Sequence, residues 1–300
     1  MEIKFYDREN GVIAKESVYG QKGVELLYGT KIGKLLENGL SGNLVTKIYG
    51  SQQDTPNSKK KIKPFIKNFN INMDEYLPED GRTNLDPYST FNNFFIRRFK
   101  EGARVFEGGA SLFPAPCEAR YFGFESLKDE DSIPVKGKFW SPRALLNSEK
   151  WASEFDQGPA LLARLCPVDY HRFHFPDDGE VLDSYRVHGK FHSVNPLALK
   201  ANDKIFKENE RQVSILETKN FGKLAYIEVG AMMVGKIVQT YEGKSFTRGQ
   251  EKGYFLFGGS TVIVFGQKGF WKPDQDILDR TSDSMESYIK LGSQVASVIN

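Results

Sequence analysis

The side chains best suited to acid–base chemistry in this 300-residue chain lie in one short segment. His171 and His174, two of only four histidines, stand in the sequence DYHRFHF. An imidazole with a pKa near ~6.5 exchanges protons at neutral pH, so the segment indicates general acid–base catalysis. The alternative is that each ring only satisfies a local hydrogen bond. A metal site is not expected, because no spaced Cys/His pair supplies further ligands.

A serine follows two glycines in YFLFGGSTVIVF, a segment that otherwise has the composition of a buried strand. Glycine weakens a strand and usually marks a bulge or a close approach to the backbone. Ser260 is therefore the candidate nucleophile, although the segment lacks the G-x-S-x-G pattern of hydrolases. The Ser260 hydroxyl could instead attack the carbonyl carbon of its own neighbour, Gly259, so that the backbone is the substrate.

Composition limits the class of protein. The chain has 41 basic and 39 acidic residues, a balance that predicts no nucleic-acid partner. Two cysteines, Cys117 and Cys166, do not make a disulfide framework, which indicates a reducing compartment. The first residues, MEIKFYDREN, do not resemble a secretory signal, and no segment approaches the ~18 apolar residues of a membrane span. Any contact with a membrane is therefore predicted to be made from its surface.

Hydrophobic spacing predicts an α+β fold. Residues 20–48 have helical spacing, residues 47–67 are rich in lysine, and STFNNFFIRRF predicts a core helix with Ser89 or Thr90 as its N-cap. After residue 110, short segments broken by Gly, Pro and Asp predict strands without interleaved helices. The sequence thus predicts a helical, basic N-terminal part (1–85) that associates with membranes. A mainly antiparallel β core, barrel-like or sandwich-like, is predicted for 86–300.

Several segments follow one another in the order found in a known family. They are FNNFFIRRFK, VKGKFWSPRALL, PVDYHRFHFP, FHSVNPLAL, NER, EVGAMMVGKI and RGQEKGYFLFGGSTVIVF. Together they resemble the phosphatidylserine decarboxylases, pyruvoyl-dependent enzymes of phosphatidylethanolamine synthesis, whose Gly-Ser-Thr cleavage motif FGGST matches. The resemblance extends from about residue 88 to the C-terminus, and residues 1–80 are much less distinctive.

The resemblance implies a cofactor made from the chain itself. Ser260 would attack the carbonyl of Gly259 to form an ester, and β-elimination with loss of ammonia would leave a pyruvoyl group on residue 260. The chain would then consist of a β fragment, 1–259, and an α fragment, 260–300. The ketone would form a Schiff base with phosphatidylserine and serve as the electron sink for loss of CO2, giving phosphatidylethanolamine.

The resemblance also implies roles for the other site residues. His174 matches the base of the self-cleavage triad, and His171 matches the residue linked to decarboxylation. The family's triad carboxylate lies in a Pro-x-Asp-Gly motif, where this chain has APCEARY, so Glu118 stands in place of Asp and Ala119 in place of Gly. The extra methylene of Glu moves the carboxylate by about 1.5 Å unless the backbone compensates, and such a displacement is costly in a catalytic triad.

The same resemblance implies a homodimer that meets phosphatidylserine at a membrane surface, and we expect a peripheral protein on the cytoplasmic face. Three alternatives stay open. The chain could be a relative that binds lipid but no longer cleaves, as the change at Glu118 and Ala119 allows. It could be a Ser-His-Glu hydrolase, or a membrane-binding module built on the basic N-terminal part. The decarboxylase is preferred because the Gly-Ser-Thr and His-x-x-His elements occur together.

Overall fold

The computed structural model of the chain describes residues 3–16, 50–127, 132–133, 138–139, 141–194, 205–231, 236–258 and 260–299. The helix predicted within residues 20–48 lies outside these ranges. Strands account for most of the regular structure that is described, and helices are few and short. The chain is therefore mainly β, as the hydrophobic spacing after residue 110 predicted.

The strands follow one another along the chain with short connections. They are β1 (Lys4–Asp7), β2 (Val12–Lys15), β3 (Leu112–Pro114), β4 (Ala119–Phe124), β5 (Ser132–Ile133), β6 (Lys138–Phe139), β7 (Ala160–Leu165), β8 (Arg172–His174), β9 (Gly179–Val187), β10 (Arg211–Thr218), β11 (Lys223–Gly230), β12 (Ile237–Gln239), β13 (Ser245–Phe246), β14 (Glu251–Phe255), β15 (Ser260–Gly266), β16 (Trp271–Pro273), β17 (Glu286–Ile289) and β18 (Gln294–Val298).

Helices connect or cover these strands. The α-helices are α1 (Ile62–Phe69), α2 (Phe91–Phe95), α3 (Pro142–Leu146), α4 (Glu149–Ala152), α5 (Ile205–Glu208) and α6 (Gln275–Ser282). Short 3-10 helices occupy Pro56–Lys61, Met73–Glu75 and Ser153–Phe155.

Ten of the described strands form one sheet, in the order β13-β9-β10-β11-β15-β7-β4-β17-β1-β2. Its neighbours are antiparallel except for β1 and β17, which run parallel. Two three-stranded sheets, β12-β14-β8 and β16-β18-β3, and the β5-β6 pair complete the described strands. The antiparallel core is thus confirmed. The barrel form of the prediction is wrong, because the described sheet ends at β13 and β2 and does not close on itself.

Strand β15 lies near the middle of the large sheet and is buried throughout. It pairs with β11 along its whole length and with β7 from Ser260 to Phe265. Its sequence, STVIVFG, is rich in β-branched residues, which suit a strand covered on both faces. Ser260 is therefore placed at the first position of a central strand.

The small sheet β12-β14-β8 packs on the face of the large sheet to which Ser260 points. Phe173 of β8 contacts Tyr226 of β11, with ring centroids 6.3 Å apart. Tyr226 is the register partner of Val264, which shares a face with Ser260 because side chains alternate along a strand. His171, directly before β8, and His174, at its end, are consequently brought to the same side of the large sheet as the serine.

The first strands correct the expectation of a helical N-terminal part. Residues 4–15 form the β1–β2 hairpin, and β1 continues the large sheet by pairing with β17. The prediction of helix is therefore wrong for these residues, and the boundary predicted near residue 85 does not separate them from the β core. Charges throughout MEIKFYDREN obscure the alternation that marks a strand, and a four-residue strand leaves little pattern to read.

The predicted phenylalanine-rich helix is confirmed as α2, with Thr90 as its N-cap. The Thr90 hydroxyl accepts a hydrogen bond from the backbone N–H of Asn93 at 3.1 Å. The helix ends at Phe95, before the full length of the predicted apolar face. Phe65 of the lysine-rich helix α1 packs against Phe91 at a centroid distance of 5.3 Å, so α1 is anchored through α2.

A completely buried ion pair lies between the two sheets. Lys252 Nζ of β14 donates to Glu228 Oε1 of β11 at 2.5 Å and to Gln239 Oε1 at 2.7 Å, and neither charged side chain is exposed. The rings of Tyr226 and Tyr241 lie 5.1 and 5.4 Å from the ammonium nitrogen. Burial raises the pKa of Glu228 and lowers that of Lys252, while the opposite charges counteract both shifts.

Replacing Lys252 by methionine should therefore leave the Glu228 carboxylate buried without its cation. We expect Lys252→Met to lower the free energy of unfolding by about 3–5 kcal/mol. Adding Glu228→Gln to the same chain should recover at least half of that loss, since the uncompensated charge is gone. Chemical denaturation followed by circular dichroism measures both. A single variant as stable as the wild type would contradict the importance of the pair.

Candidate active site

The Ser260 side chain is completely buried where three strands of the large sheet meet. Its register partners are Gly230 of β11 and Leu165 of β7. Gly258, two residues earlier, has a φ of +145°, in the region that favours glycine. Gly259, the predicted cleavage position, lies outside the described residues. The geometry therefore fixes the serine side of the predicted cleavage site.

His171 is the histidine that contacts Ser260. Its Nδ1 lies 3.4 Å from the serine Oγ, and its Nε2 lies 2.9 Å from the backbone oxygen of Cys166. Because a carbonyl only accepts, Nε2 carries the proton and Nδ1 is left as an acceptor facing the hydroxyl. The ring is completely buried and stacks on Phe95 at a centroid distance of 3.8 Å. The distance between His171 Nδ1 and Ser260 Oγ is longer than in an ordinary hydrogen bond. It therefore shows that the two groups are neighbours and does not indicate a strong interaction.

Burial also keeps this imidazole neutral. Loss of hydration, together with the positive charge of Arg97, lowers the pKa of His171 to about 3, despite hydrogen bonds to the backbone that oppose the shift. A neutral imidazole can accept a proton, whereas an imidazolium cannot. His171 is therefore available as a proton acceptor at any pH well above 3.

His174 is held in a similar state by different neighbours. Its Nδ1 lies 2.9 Å from the Gly249 carbonyl oxygen, and its backbone N–H donates to the Pro116 oxygen at 2.8 Å. Its Nε2 is buried and has no hydrogen-bond partner among the described residues. Burial lowers the pKa of His174, against the opposing effect of the Gly249 carbonyl. The ring is thus a second neutral imidazole, with its acceptor nitrogen unused.

Glu118 does not orient either imidazole in the described hydrogen bonds. Its carboxylate accepts from Arg104 Nε at 2.5 Å, from the Tyr288 hydroxyl at 2.9 Å and from the Leu291 backbone N–H at 3.3 Å. In the structure the Gly249 carbonyl, and not Glu118, is the partner of His174 Nδ1. The predicted triad contact of Glu118 is therefore not formed, although the Pro116 hydrogen bond places this segment beside β8.

Comparison with known proteins identifies the family of this chain. A family model described as phosphatidylserine decarboxylase matches residues 91–297. The chain belongs to the phosphatidylserine decarboxylase family. Similar relatives carry the name phosphatidylserine decarboxylase proenzyme. The one from Clostridium tetani is 40% identical, covering 98% of this chain and 97% of its own length. The relative from Fusobacterium nucleatum is 36% identical, over 99% of this chain and 98% of its own length. The relative from Clostridium perfringens is 39% identical, over 98% of this chain and 99% of its own length. The resemblance inferred from the motifs is thus confirmed.

The sequence did not identify helix α2 as part of the site. The Asn92 side-chain oxygen accepts from the backbone N–H of Phe257 at 3.0 Å, and Phe257 also packs against Phe95 with centroids 5.0 Å apart. Arg97 donates to the backbone oxygens of Val168, at 3.1 Å, and Asp169, at 3.2 Å. Helix α2 therefore covers the cleavage segment, and Arg97, just after the helix, holds the chain before His171. The sequence FNNFFIRRF predicts a core helix, and the polar residues Asn92 and Arg97 among its phenylalanines are the signal that could have indicated this further role.

Two general features of the described residues bear on cofactors and membranes. No cluster of three or more His, Cys, Asp or Glu side chains in these ranges is arranged to hold a metal ion. Within the same ranges, every helix is too short or too polar to cross a bilayer.

The lowered pKa values of the two histidines predict how the folded protein responds to acid. His171 should show no protonation between pH 8 and pH 5 in histidine-labelled NMR spectra, and His174 should titrate below the ~6.5 of the urea-unfolded chain. Because the unfolded chain binds a proton on His171 below ~6.5 and the folded chain binds it only near 3, this contribution to stability is complete above ~6.5 and is lost as pH falls toward 3. At pH 5 the loss from His171 alone is about 2 kcal/mol. A His171 signal that titrates near ~6.5 in the folded protein would contradict this description.

Proposed function

We propose that this chain is a phosphatidylserine decarboxylase that is made as a proenzyme and cleaves its own backbone between Gly259 and Ser260. The observation that carries the proposal is the buried Ser260 hydroxyl beside the neutral imidazole of His171, in a chain of this family. The names of the relatives support both the reaction and the precursor. Residue 260 would thus take part both in self-cleavage and in decarboxylation.

The cleavage begins with the replacement of the peptide bond between Gly259 and Ser260 by an ester bond. Ser260 Oγ attacks the carbonyl carbon of Gly259, the peptide C–N bond breaks, and an ester joins the two residues. Removal of the Ser260 Cα proton then expels the Gly259 carboxylate. The dehydroalanine left on residue 260 takes up one water and loses ammonia, so that a pyruvoyl group remains. The oxygen of that ketone comes from water, and fragment 1–259 keeps the serine oxygen in its new carboxylate.

The two imidazoles suit different steps. We assign the proton transfers of self-cleavage to His174, because its buried Nε2 has no hydrogen-bond partner among the described residues and its Nδ1–H is fixed by Gly249. We assign proton transfer at residue 260 during decarboxylation to His171, the ring that lies next to that residue. Distances between catalytic groups often shorten only in the reacting complex, so the separation of His174 from Ser260 does not oppose its role. Glu118 would act at most through the segment that contacts β8.

The surroundings of residue 260 suit a pyruvoyl group. Ser260 lies in a fully buried position between two sheets, with Gly230 as its neighbour on β11, and the ring of Phe191 lies against this glycine. Once formed, the group supplies a carbonyl that withdraws electrons from the bond to the substrate carboxylate. The chain itself excludes water with Phe95 and Phe257 and keeps the neutral ring of His171 at this position.

The two fragments would stay together through the sheet. Fragment 260–300 contains β15, which is paired on both sides with strands of fragment 1–259. It also contains β17, which pairs with β4 and β1. Cleavage at the start of β15 cuts no strand pairing of the large sheet. A homodimer stays a prediction from the resemblance alone.

We further propose that the lysine-rich segment binds the headgroups of an anionic membrane on its cytoplasmic face, where phosphatidylserine is taken up. Lys60, Lys63 and Lys67 are exposed, while α1 turns its apolar side inward to Phe91. Leu85 is 98% exposed, and its neighbour Asp86 forms an ion pair with Lys59, so this leucine lies beside the basic segment. Basic groups around an exposed apolar side chain are typical of peripheral attachment.

Replacing single site residues should separate processing from turnover. Ser260→Ala should abolish both, because it removes the nucleophile and the future carbonyl. His174→Ala should leave the precursor uncleaved, whereas His171→Ala should be at least partly processed and should lose at least 100-fold in decarboxylation. Gel analysis follows the two fragments, and CO2 release from phosphatidylserine vesicles follows turnover.

Ser287→Ala is the matched control for these variants, since Ser287 is an equally buried serine of the same sheet. It should be processed and active like the wild type. Decarboxylation by a soluble, folded Ser260→Ala protein would refute the proposed function. Turnover near the wild-type rate in His171→Ala would refute the assignment of roles.

Charge reversal tests the membrane surface. The triple variant Lys60→Glu, Lys63→Glu, Lys67→Glu should lose at least tenfold in affinity for vesicles that contain phosphatidylserine, because each lysine contributes roughly 1 kcal/mol near such a surface. Vesicle sedimentation at low salt measures the change. The same substitution at Lys4, Lys219 and Lys268, on other parts of the chain, provides a control of equal charge. Equal losses in both proteins would contradict a specific membrane-facing segment.

A further inference from the structure

Five charged side chains form a buried cluster near the active site. Glu16, Arg120, Arg164, Asp169 and Glu286 each have at most 8% of their side-chain surface exposed. Glu16 Oε2 lies 2.6 Å from Arg164 Nη2 and 3.1 Å from Arg120 Nε, so this carboxylate bridges both guanidinium groups. Arg120 also pairs with Asp169 at 2.6 Å, and Arg164 pairs with Glu286 at 2.5 Å. Buried charges are tolerated only when paired in this way.

The cluster lies on the opposite face of the sheet from the Ser260 side chain. Arg164 is the register partner of Thr261, whereas Ser260 is the partner of Leu165. Because side chains alternate along a strand, Arg164 and Ser260 point to opposite faces. The proposed mechanism uses none of the charges on this second face.

One turn connects the two faces. The backbone N–H of Asp169 donates to the Cys166 carbonyl oxygen at 2.9 Å, and the Asp169 carboxylate accepts the N–H of Cys166 at 2.6 Å. Arg164 Nη1 lies 2.9 Å from the Cys166 sulfur. The carbonyl oxygen of Cys166 is also the acceptor of His171 Nε2–H, at 2.9 Å. The cluster therefore holds the residue that decides which nitrogen of His171 carries the proton.

We infer that Glu16, at the end of the N-terminal hairpin, is a positioning residue of the active site. By bridging Arg120 and Arg164 it fixes the 166–169 turn, and through the Cys166 carbonyl it fixes the ring orientation and tautomer of His171. This inference rests on the proposed function. It gives the β1–β2 hairpin a part in catalysis, although neither of its strands touches residue 260.

Electrostatics show why Glu16 matters more than the other carboxylates of the cluster. Arg120 and Arg164 are register partners on adjacent strands, so their like charges are held close together inside the protein. Glu16 is the carboxylate that contacts both, whereas Asp169 and Glu286 each pair with one. Burial would raise the pKa of Glu16, but Arg164 and Arg120 outweigh it and lower the pKa to about 2. The bridge is therefore charged at every pH at which the protein would work.

Glu16→Gln tests the inference because it keeps the shape of the side chain and removes the charge. In full-length protein that matures, kcat for decarboxylation per pyruvoyl group should fall about 100-fold, the scale of a small misplacement of a catalytic group. KM should stay within about threefold, since substrate contacts are unchanged. Glu16→Asp, which keeps the charge, should recover at least part of kcat.

A second readout does not depend on activity. In the uncleaved Ser260→Ala chain, nitrogen NMR of labelled histidine should show His171 as the single tautomer with the proton on Nε2. Adding Glu16→Gln should produce a mixture of tautomers. Glu9→Gln is the control, because it removes an exposed ion pair of the same hairpin, with Lys290, and should change neither readout.

The outcomes are distinct. A wild-type protein without decarboxylation would refute the proposed function and not the role of Glu16. Wild-type kcat together with an unchanged His171 tautomer in folded Glu16→Gln would overturn the role of Glu16. If Glu16→Gln does not fold, Asp169→Asn decides in the same two assays, because it weakens the other end of the connection to Cys166. Unchanged values in that variant would likewise overturn the inference.

Discussion

The burial of the Ser260 hydroxyl beside a neutral imidazole is the constraint on which the rest of the structure depends. Removing Ser260 and His171 from water requires strands on both sides of β15 and a cover over its first residue. Helix α2 provides the cover through Phe95 and through the hydrogen bond between Asn92 and Phe257. The same burial that hides the serine lowers the pKa of His171, so the enclosure of the site and the neutral state of the imidazole have one physical cause.

A central strand is also what lets a cleaved chain remain one folded unit. If residue 260 lay in an exposed loop, the new chain end would be free to move, and a carbonyl group on it would be poorly positioned. At the start of β15 it is held by β7 and β11, and the charges of Glu16, Arg120 and Arg164 hold the opposite face. Chemistry on one face is thus supported by ionic contacts on the other, with the 166–169 turn between them.

Local features of the sequence indicated the candidate site residues more clearly than the contacts that support them. Ser260 and the two histidines were recognisable because Gly-Gly-Ser in a strand and paired histidines are unusual locally. Short segments of the sequence likewise predicted the antiparallel core and Thr90 as a candidate N-cap of helix α2. The partners of Glu118 were not, because Arg104 and Tyr288 reach it through tertiary packing that spacing does not encode. The N-terminal hairpin was missed for a similar reason, since β1 joins the large sheet by pairing with β17, which is distant in the sequence.

The most direct test of the central claim is the intact mass of the purified wild-type protein, measured without substrate. Self-cleavage between Gly259 and Ser260 predicts two chains. One comprises residues 1–259, and the other comprises residues 260–300 with a pyruvoyl group in place of its free amino terminus. A single unbroken mass of 300 residues from folded protein would contradict self-processing, and with it the assignment of residue 260 as the source of the reactive carbonyl.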